Sequence, residues 1–248
     1  MKRSARYTLL DAMRGISLLS MICYHATYDL VAIYGVQLPW YFDTPGYLWQ
    51  QSICWSFILL SGISWHFGRS PLKKGLVISA CGLLITLTTA IFMPSQIIIM
   101  GVLSFIGAAT LLMIPVSRLF ENIDPRLAAG VSAALFFASR NISRGALGFE
   151  GLTFMRIPRP LYTLPGGFIM GLPQAGFYSS DYFAIVPWFF LFSLGYFLWR
   201  CIEPNSHVQA AMRFDLPPLS MLGRRSLIIY LLHQPVIMLV LTLVMRQH

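Results

Sequence analysis

Apolar residues gather along the chain in seven blocks, 16–35, 47–67, 75–93, 97–117, 127–142, 183–200 and 226–245, separated by short polar clusters. A helix needs ~20 apolar residues to cross the hydrocarbon core of a bilayer, and the blocks are of that order. The pattern predicts an all-α, polytopic transmembrane helical bundle of about seven spans (range six to eight), forming a single integral membrane domain over residues 1–248. The fifth block, with LAAGVSAALFFAS, is the weakest, being short and rich in Ala and Gly.

The first block follows a basic start, MKRSAR, as a secretory leader would, but His25 and Asp29 stand where small residues would mark a cleavage site. It therefore reads as a retained first helix. The longest connection, 143–182, holds an apolar stretch, YTLPGGFIMGLP, suited to dipping into the membrane surface or lying over the bundle. Connections of that length are commonly functional or disordered. Within it, Ser179-Ser180-Asp181-Tyr182 looks like an N-cap for the sixth helix, with hydroxyl and carboxylate accepting from its orphan amides.

Composition sharpens the membrane reading. Only 11% of residues are charged and 56% are hydrophobic, against ~25% charged in soluble domains. Too few charges remain to cover a water-facing surface. The net charge of +9 would suggest a polyanion partner in a soluble protein, but the basic residues sit in clusters between apolar blocks and form no aromatic-interleaved groove, so no nucleic-acid partner is expected. They serve as orientation signals. With the N-terminus cytoplasmic, Lys2, Arg3, Arg6, Arg69, Lys73, Lys74, Arg118, Arg126, Arg200, Arg213, Arg224 and Arg225 fall inside, and Arg140, Arg144, Arg156, Arg159 and Arg246 outside. The four cysteines, Cys23, Cys54, Cys81 and Cys201, form no C-x-x-C pair and read as small apolar helix residues.

With charges so scarce, those within spans stand out, because each is costly there and defaults to a functional role. The first helix carries Asp11, Arg14, His25 and Asp29. At ~100° per residue all four fall within an arc of roughly 60°, so they face the bundle interior or a water-filled cavity. Asp11 and Arg14, at i and i+3, can pair with each other. His25 and Asp29, at i and i+4, can form a unit in which the carboxylate fixes the imidazole tautomer. In the last helix Tyr230, His233 and Gln234 lie on neighbouring faces, and Pro235 leaves the Leu231 carbonyl without its helical donor, which predicts a kink. His66, beside Arg69, Lys73 and Lys74, reads as interfacial.

The blocks LDAMRGISLLSMICYHATYDL, WSFILLSGISW, MGVLSFIGAATLL, SSDYFAIVPWFFLFSLGY and LGRRSLIIYLLHQPV, in that order, resemble the small bacterial relatives of heparan-alpha-glucosaminide N-acetyltransferase, within a wider group of membrane acyltransferases. The resemblance implies a multi-pass protein of the bacterial cytoplasmic (inner) membrane. It implies transfer of an acetyl group from cytoplasmic acetyl-CoA, as co-substrate, to an amine or hydroxyl of a carbohydrate-like acceptor reached from the external side. No metal or haem is expected. Beyond acetyl-CoA, the acceptor and the lipid bilayer, a homo-oligomer is left open. Ser104 stands where the resemblance places a histidine after the Gly-x-Leu of the fourth helix.

Acyl transfer from a thioester needs a base for the acceptor proton and a donor for the developing oxyanion. The expected base is His25, oriented by Asp29, with Tyr230, His233 or Gln234 as oxyanion donor. Arg14, Arg224 and Arg225 would hold the CoA phosphates, for which the guanidinium fork is suited. Asp181, Tyr182, Gln234 and Asp11 are the expected substrate contacts. The rival reading is a transporter or flippase of a small polar molecule, which would also want a polar stripe but commonly carries internal repeats, and none is visible here. A haem between His25 and His233 is the third reading, and retinal is excluded because Lys2, Lys73 and Lys74 all lie outside the spans.

Overall fold

The computed structural model describes residues 6–68 and 70–245. Lys2, Arg3, Arg69 and Arg246, all used in the orientation count, lie outside the described residues. Ten α-helices are found among the described residues: α1 (Thr8–Ala32), α2 (Thr44–Ile63), α3 (Pro71–Phe92), α4 (Val102–Leu119), α5 (Pro125–Ser139), α6 (Gly167–Met170), α7 (Ile185–Ile202), α8 (Ser206–Ala211), α9 (Pro217–Arg224) and α10 (Ser226–Met245). Two short strands, β1 (Ala146–Phe149) and β2 (Leu152–Arg156), pair antiparallel between α5 and α6.

Local chemistry sets several helix starts. Ser70 accepts from the Lys73 N–H ahead of Pro71 at the first position of α3, and Asp124 does the same for Arg126 ahead of Pro125 in α5. Four helices, α3, α4, α7 and α10, are long and apolar enough to cross a membrane. Of the other three expected spans, α1 and α2 dilute their apolar residues with groups such as Asp29, Gln50 and Gln51, and α5 has only 15 residues. The protein is thus an all-α membrane protein in the main, and the hairpin is a departure from the all-helical expectation. Its turn chemistry explains it: Gly145, Gly148 and Glu150 all hold positive φ, and a bulge falls between Leu147 and Gly148.

The chain divides into two compact units, residues 1–60 with 202–248, and residues 61–201. In the first, α9 lies along α1 at very short range. A methyl group on Gly223 would stand 1.8 Å from the Asp11 carbonyl oxygen, and one on Gly15 would stand 2.1 Å from that of Leu219. The first turn of α1 is tied to the same region, since Leu9 N–H donates to the Met212 carbonyl at 3.1 Å. Further along, Leu18, Met21 and Ile53 form a buried core against Trp49, Phe57 and Tyr230, and the Trp49 indole donates to the Ser20 hydroxyl at 2.8 Å.

In the second unit α3 and α4 cross through small residues. A methyl on Gly82 would meet Ser104, and one on Gly107 would meet Ser79, each within 2.6 Å of the serine's backbone nitrogen. That crossing accounts for Ser104: a histidine there would have no room against α3. His66 is likewise engaged in packing, stacked on Tyr196 at 4.2 Å with Nε2 3.1 Å from the Tyr196 carbonyl.

Replacing Gly223 by Val puts three carbons where one does not fit. We expect a loss of about 1–3 kcal/mol or failure to fold, read as a lowered thermal unfolding midpoint in detergent, whereas Gly130→Ala in α5, which meets nothing within 4 Å, does not lower it.

Candidate functional site

The polar stripe of α1 faces the polar turn of α10. The His25 and His233 rings lie 4.9 Å apart, edge to face at 63°, and Tyr230 packs on His233 at 5.3 Å. One turn along α1, Asp29 is 1% exposed, and its two oxygens accept from Gln234 Nε2 at 3.0 and 2.9 Å. His25, Asp29, Tyr230, His233 and Gln234 thus come together from two helices 200 residues apart in sequence. The pairing within the set differs from expectation. Asp29 takes Gln234 as its partner, and among the described residues it makes no hydrogen bond to His25. The carboxylate needs an N–H donor, and the amide of Gln234 is the one that reaches it.

The Nδ1–H of His233 donates to the Tyr230 carbonyl. A carbonyl only accepts, so the proton sits on Nδ1 and the lone pair on Nε2. That Nε2 is buried with no hydrogen-bond partner among the described residues, as is Oε1 of Gln234. Two acceptor atoms on adjacent residues thus have no donor among the described residues. Gln234 Nε2 meets both Asp29 oxygens with one of its two N–H groups.

At the other end of α1, Asp11 is the centre of an ion triplet. Arg6 Nε reaches one oxygen at 2.6 Å and Arg14 Nη1 the other at 2.6 Å. The expected Asp11–Arg14 pair forms, joined by Arg6 from outside the helix, and the Asp11 oxygens are taken up by arginines rather than turned to a substrate. Arg224 bonds the Ser220 carbonyl with Nε at 3.2 Å. Arg225, beside it, is exposed. From Arg14 to His25 the rise along α1 is about 16 Å.

Asp181 and Tyr182 belong to the second unit. The expected cap at the sixth span is corrected: the Asp181 carboxylate accepts from Val102 N–H at 3.0 Å, capping α4. The reason is Gly101, the residue before α4, which has no side chain to cap with and leaves room for the carboxylate, 3.0 Å from where its Cβ would be. Ser179 Oγ accepts from Ile99 N–H at 2.9 Å and Phe183 N–H donates to the Met100 carbonyl at 2.8 Å, so 179–183 straps 96–102. Tyr182 donates its hydroxyl to the Phe168 carbonyl. Burial pushes the Asp181 carboxyl up to about 6, against the pull of the Val102 N–H.

Residues that the sequence reading passed over complete the wall beside His25. Tyr24 stands 5.9 Å from its ring, edge on, and packs on Tyr41 at 5.1 Å and Trp49 at 5.3 Å, while Tyr41 donates to the Tyr24 carbonyl at 3.2 Å. The available signal was the aromatic run Trp40-Tyr41-Phe42 shortly after the first helix. Among the described residues no group of three or more His, Cys, Asp or Glu could hold a metal ion.

A model of the family described as heparan-alpha-glucosaminide N-acetyltransferase, catalytic, matches residues 6–235, and the chain belongs to that family of membrane acetyltransferases. No curated protein and no solved structure matches it significantly.

A carboxyl that titrates near 6 when folded and near 3.8 when unfolded binds more protons in the folded state between those values. The fold then loses stability as pH rises through that window and stays level above it. The thermal midpoint of the protein should fall from pH 4 to pH 6, and Asp181→Asn should flatten that part of the curve.

Proposed function

We propose that this member of the heparan-alpha-glucosaminide N-acetyltransferase catalytic family moves an acetyl group from acetyl-CoA, held on the cytoplasmic side, to an amine or hydroxyl of a carbohydrate-like acceptor reached from the external side of a bacterial cytoplasmic membrane. The observation that carries the reading is the histidine pair, with an unpartnered lone pair on His233 Nε2. The family match supports the reaction class.

The role of base moves, in this reading, from His25 towards His233. The acceptor's N–H or O–H donates to His233 Nε2, and that nitrogen takes the proton as the acceptor atom bonds to the thioester carbonyl carbon. The carbon–sulfur bond breaks, the thiolate of CoA leaves, and the imidazolium returns the proton to it, so acetyl-CoA and acceptor become acetylated acceptor and CoA thiol. His25, ring to ring with His233, and Tyr230 are the donors at hand for the oxyanion. Asp29, clamped by Gln234, fixes α1 against α10. This assigns Asp29 and Gln234 to the positioning of the histidines.

The arginine end of α1 suits the nucleotide part of the donor. Arg14 is held rigid by Asp11 and Arg225 is exposed, a combination of one preset and one adaptable guanidinium that fits phosphate recognition. The ~16 Å rise between Arg14 and His25 is then the path of the pantetheine arm along the stripe.

The experiment is acetyl transfer by purified protein, with bound CoA followed by mass spectrometry. We expect His233→Ala to lower turnover by about 10²–10⁴-fold with CoA still bound, His25→Ala to lower it less, and Arg225→Gln to raise the KM for acetyl-CoA with turnover preserved. Full activity in both histidine variants, or solute counterflow without acetyl-CoA, would sink the proposal.

A further inference from the structure

The hairpin between α5 and α6 has no part in the chemistry above, and its build is unusual for a connection. It is fastened to the end of α5. Asn141, 3% exposed, donates through Nδ2 to the Glu150 carbonyl at 2.8 Å and the Leu152 carbonyl at 3.1 Å, and its own N–H donates to the Gly148 carbonyl at 3.1 Å. Phe149 packs on Phe137 of α5 at 5.0 Å. β1 is therefore the docked strand, with Ala146 and Gly148 buried.

β2 is the reverse. All five of its residues are exposed, including Leu152 at 64%, Phe154 at 66% and Met155 at 56%. An aromatic and two large aliphatic side chains on a rigid hairpin call for a covering. Arg156, the last residue of β2, and Arg159 just after it are both exposed and without a side-chain hydrogen bond or ion pair among the described residues.

The neighbouring helix supplies the rest of the argument. With 15 residues, α5 rises about 22 Å, short of the ~30 Å hydrocarbon core. The deficit, about 8 Å, is at one end or shared between both. The hairpin is docked on the C-terminal end, and β2 extends about 16 Å at ~3.3 Å per residue. Its outer edge pairs with no strand among the described residues, so it cannot sit in hydrocarbon, where unpaired backbone groups are not tolerated. The headgroup layer satisfies both demands, since water and phosphate bond the free edge while Leu152 and Phe154, on one face of the strand, reach the acyl chains.

The geometry points to a lipid-docking hairpin: β2 lies in the headgroup layer as an extension of the short helix α5, with Leu152 and Phe154 among the acyl chains and the guanidinium heads of Arg156 and Arg159 on lipid phosphates. The occupant is the bilayer rather than another protein because the segment is tethered to α5 on one side, its acid Glu150 is paired with Arg140 and Arg144, and its remaining exposed charges, Arg156 and Arg159, complement lipid phosphates.

The test places the photo-crosslinker benzoylphenylalanine at position 154 of the full chain, in nanodiscs of phosphatidylcholine and phosphatidylglycerol, with the same probe at Val240 on the exposed face of α10 as reference. Irradiation should give adducts of phospholipid mass at both positions. With Arg156→Gln and Arg159→Gln together, the phosphatidylglycerol share of the adducts at 154 should fall several-fold, while that at 240 stays the same. Covalent pairing of two chains through position 154, or lipid adducts at 240 and none at 154, overturns the proposal. An unchanged phosphatidylglycerol share overturns the phosphate contacts.

Discussion

A carboxylate in a low-dielectric interior has to be solvated by the protein itself, and the clamp between Asp29 and Gln234 meets that constraint. Burying a bare carboxylate is prohibitive, so α1 can carry Asp29 only where another helix brings an N–H donor to it. α10 does, and in doing so it sets the rotation and height of both helices. His25 and His233 follow from that register, each one turn or one residue from a member of the clamp. The aromatic wall of Tyr24, Tyr41 and Trp49 then closes the side of α1 beside His25.

The other end of α1 obeys a different rule. There the helix is held to α9 by backbone approach, with glycines at the two points of nearest contact, and its acid is answered by two arginines. Close packing leaves no slack in where Arg14 points. One helix is thus fixed by an ion–dipole contact towards one end and by steric fit towards the other. The charged stripe between them keeps a constant face.

The periodic parts of this arrangement were legible in the chain. The block 226–245 coincides with α10, and the stripe on the first helix survives because α1 is helical from Thr8 to Ala32. All five residues of the histidine site were nominated. What failed was partnership across long separations. A one-turn spacing made His25 the natural mate of Asp29, but an N–H donor 205 residues on reaches the carboxylate instead. Likewise Asp181, 79 residues after Val102, looked like a cap for the helix that follows it. The fourth apolar block starts at 97, whereas α4 starts at Val102 because 96–102 is strapped by 179–183. The hairpin escaped notice since its glycines punctuate an apolar run and read as loop.

An imidazole whose Nδ1–H is spent on a backbone carbonyl has a single door. The bond from His233 to the Tyr230 carbonyl leaves Nε2 as the one atom through which this ring can take up or give back a proton. Ring rotation would break that bond, so nothing is passed from one side of the imidazole to the other. Any proton it receives departs the way it came, and the groups that give and reclaim it must visit the same small space. Traffic at this histidine is a return journey, which makes it a poor wire for moving protons across a membrane and a good place to lend one between two partners that meet.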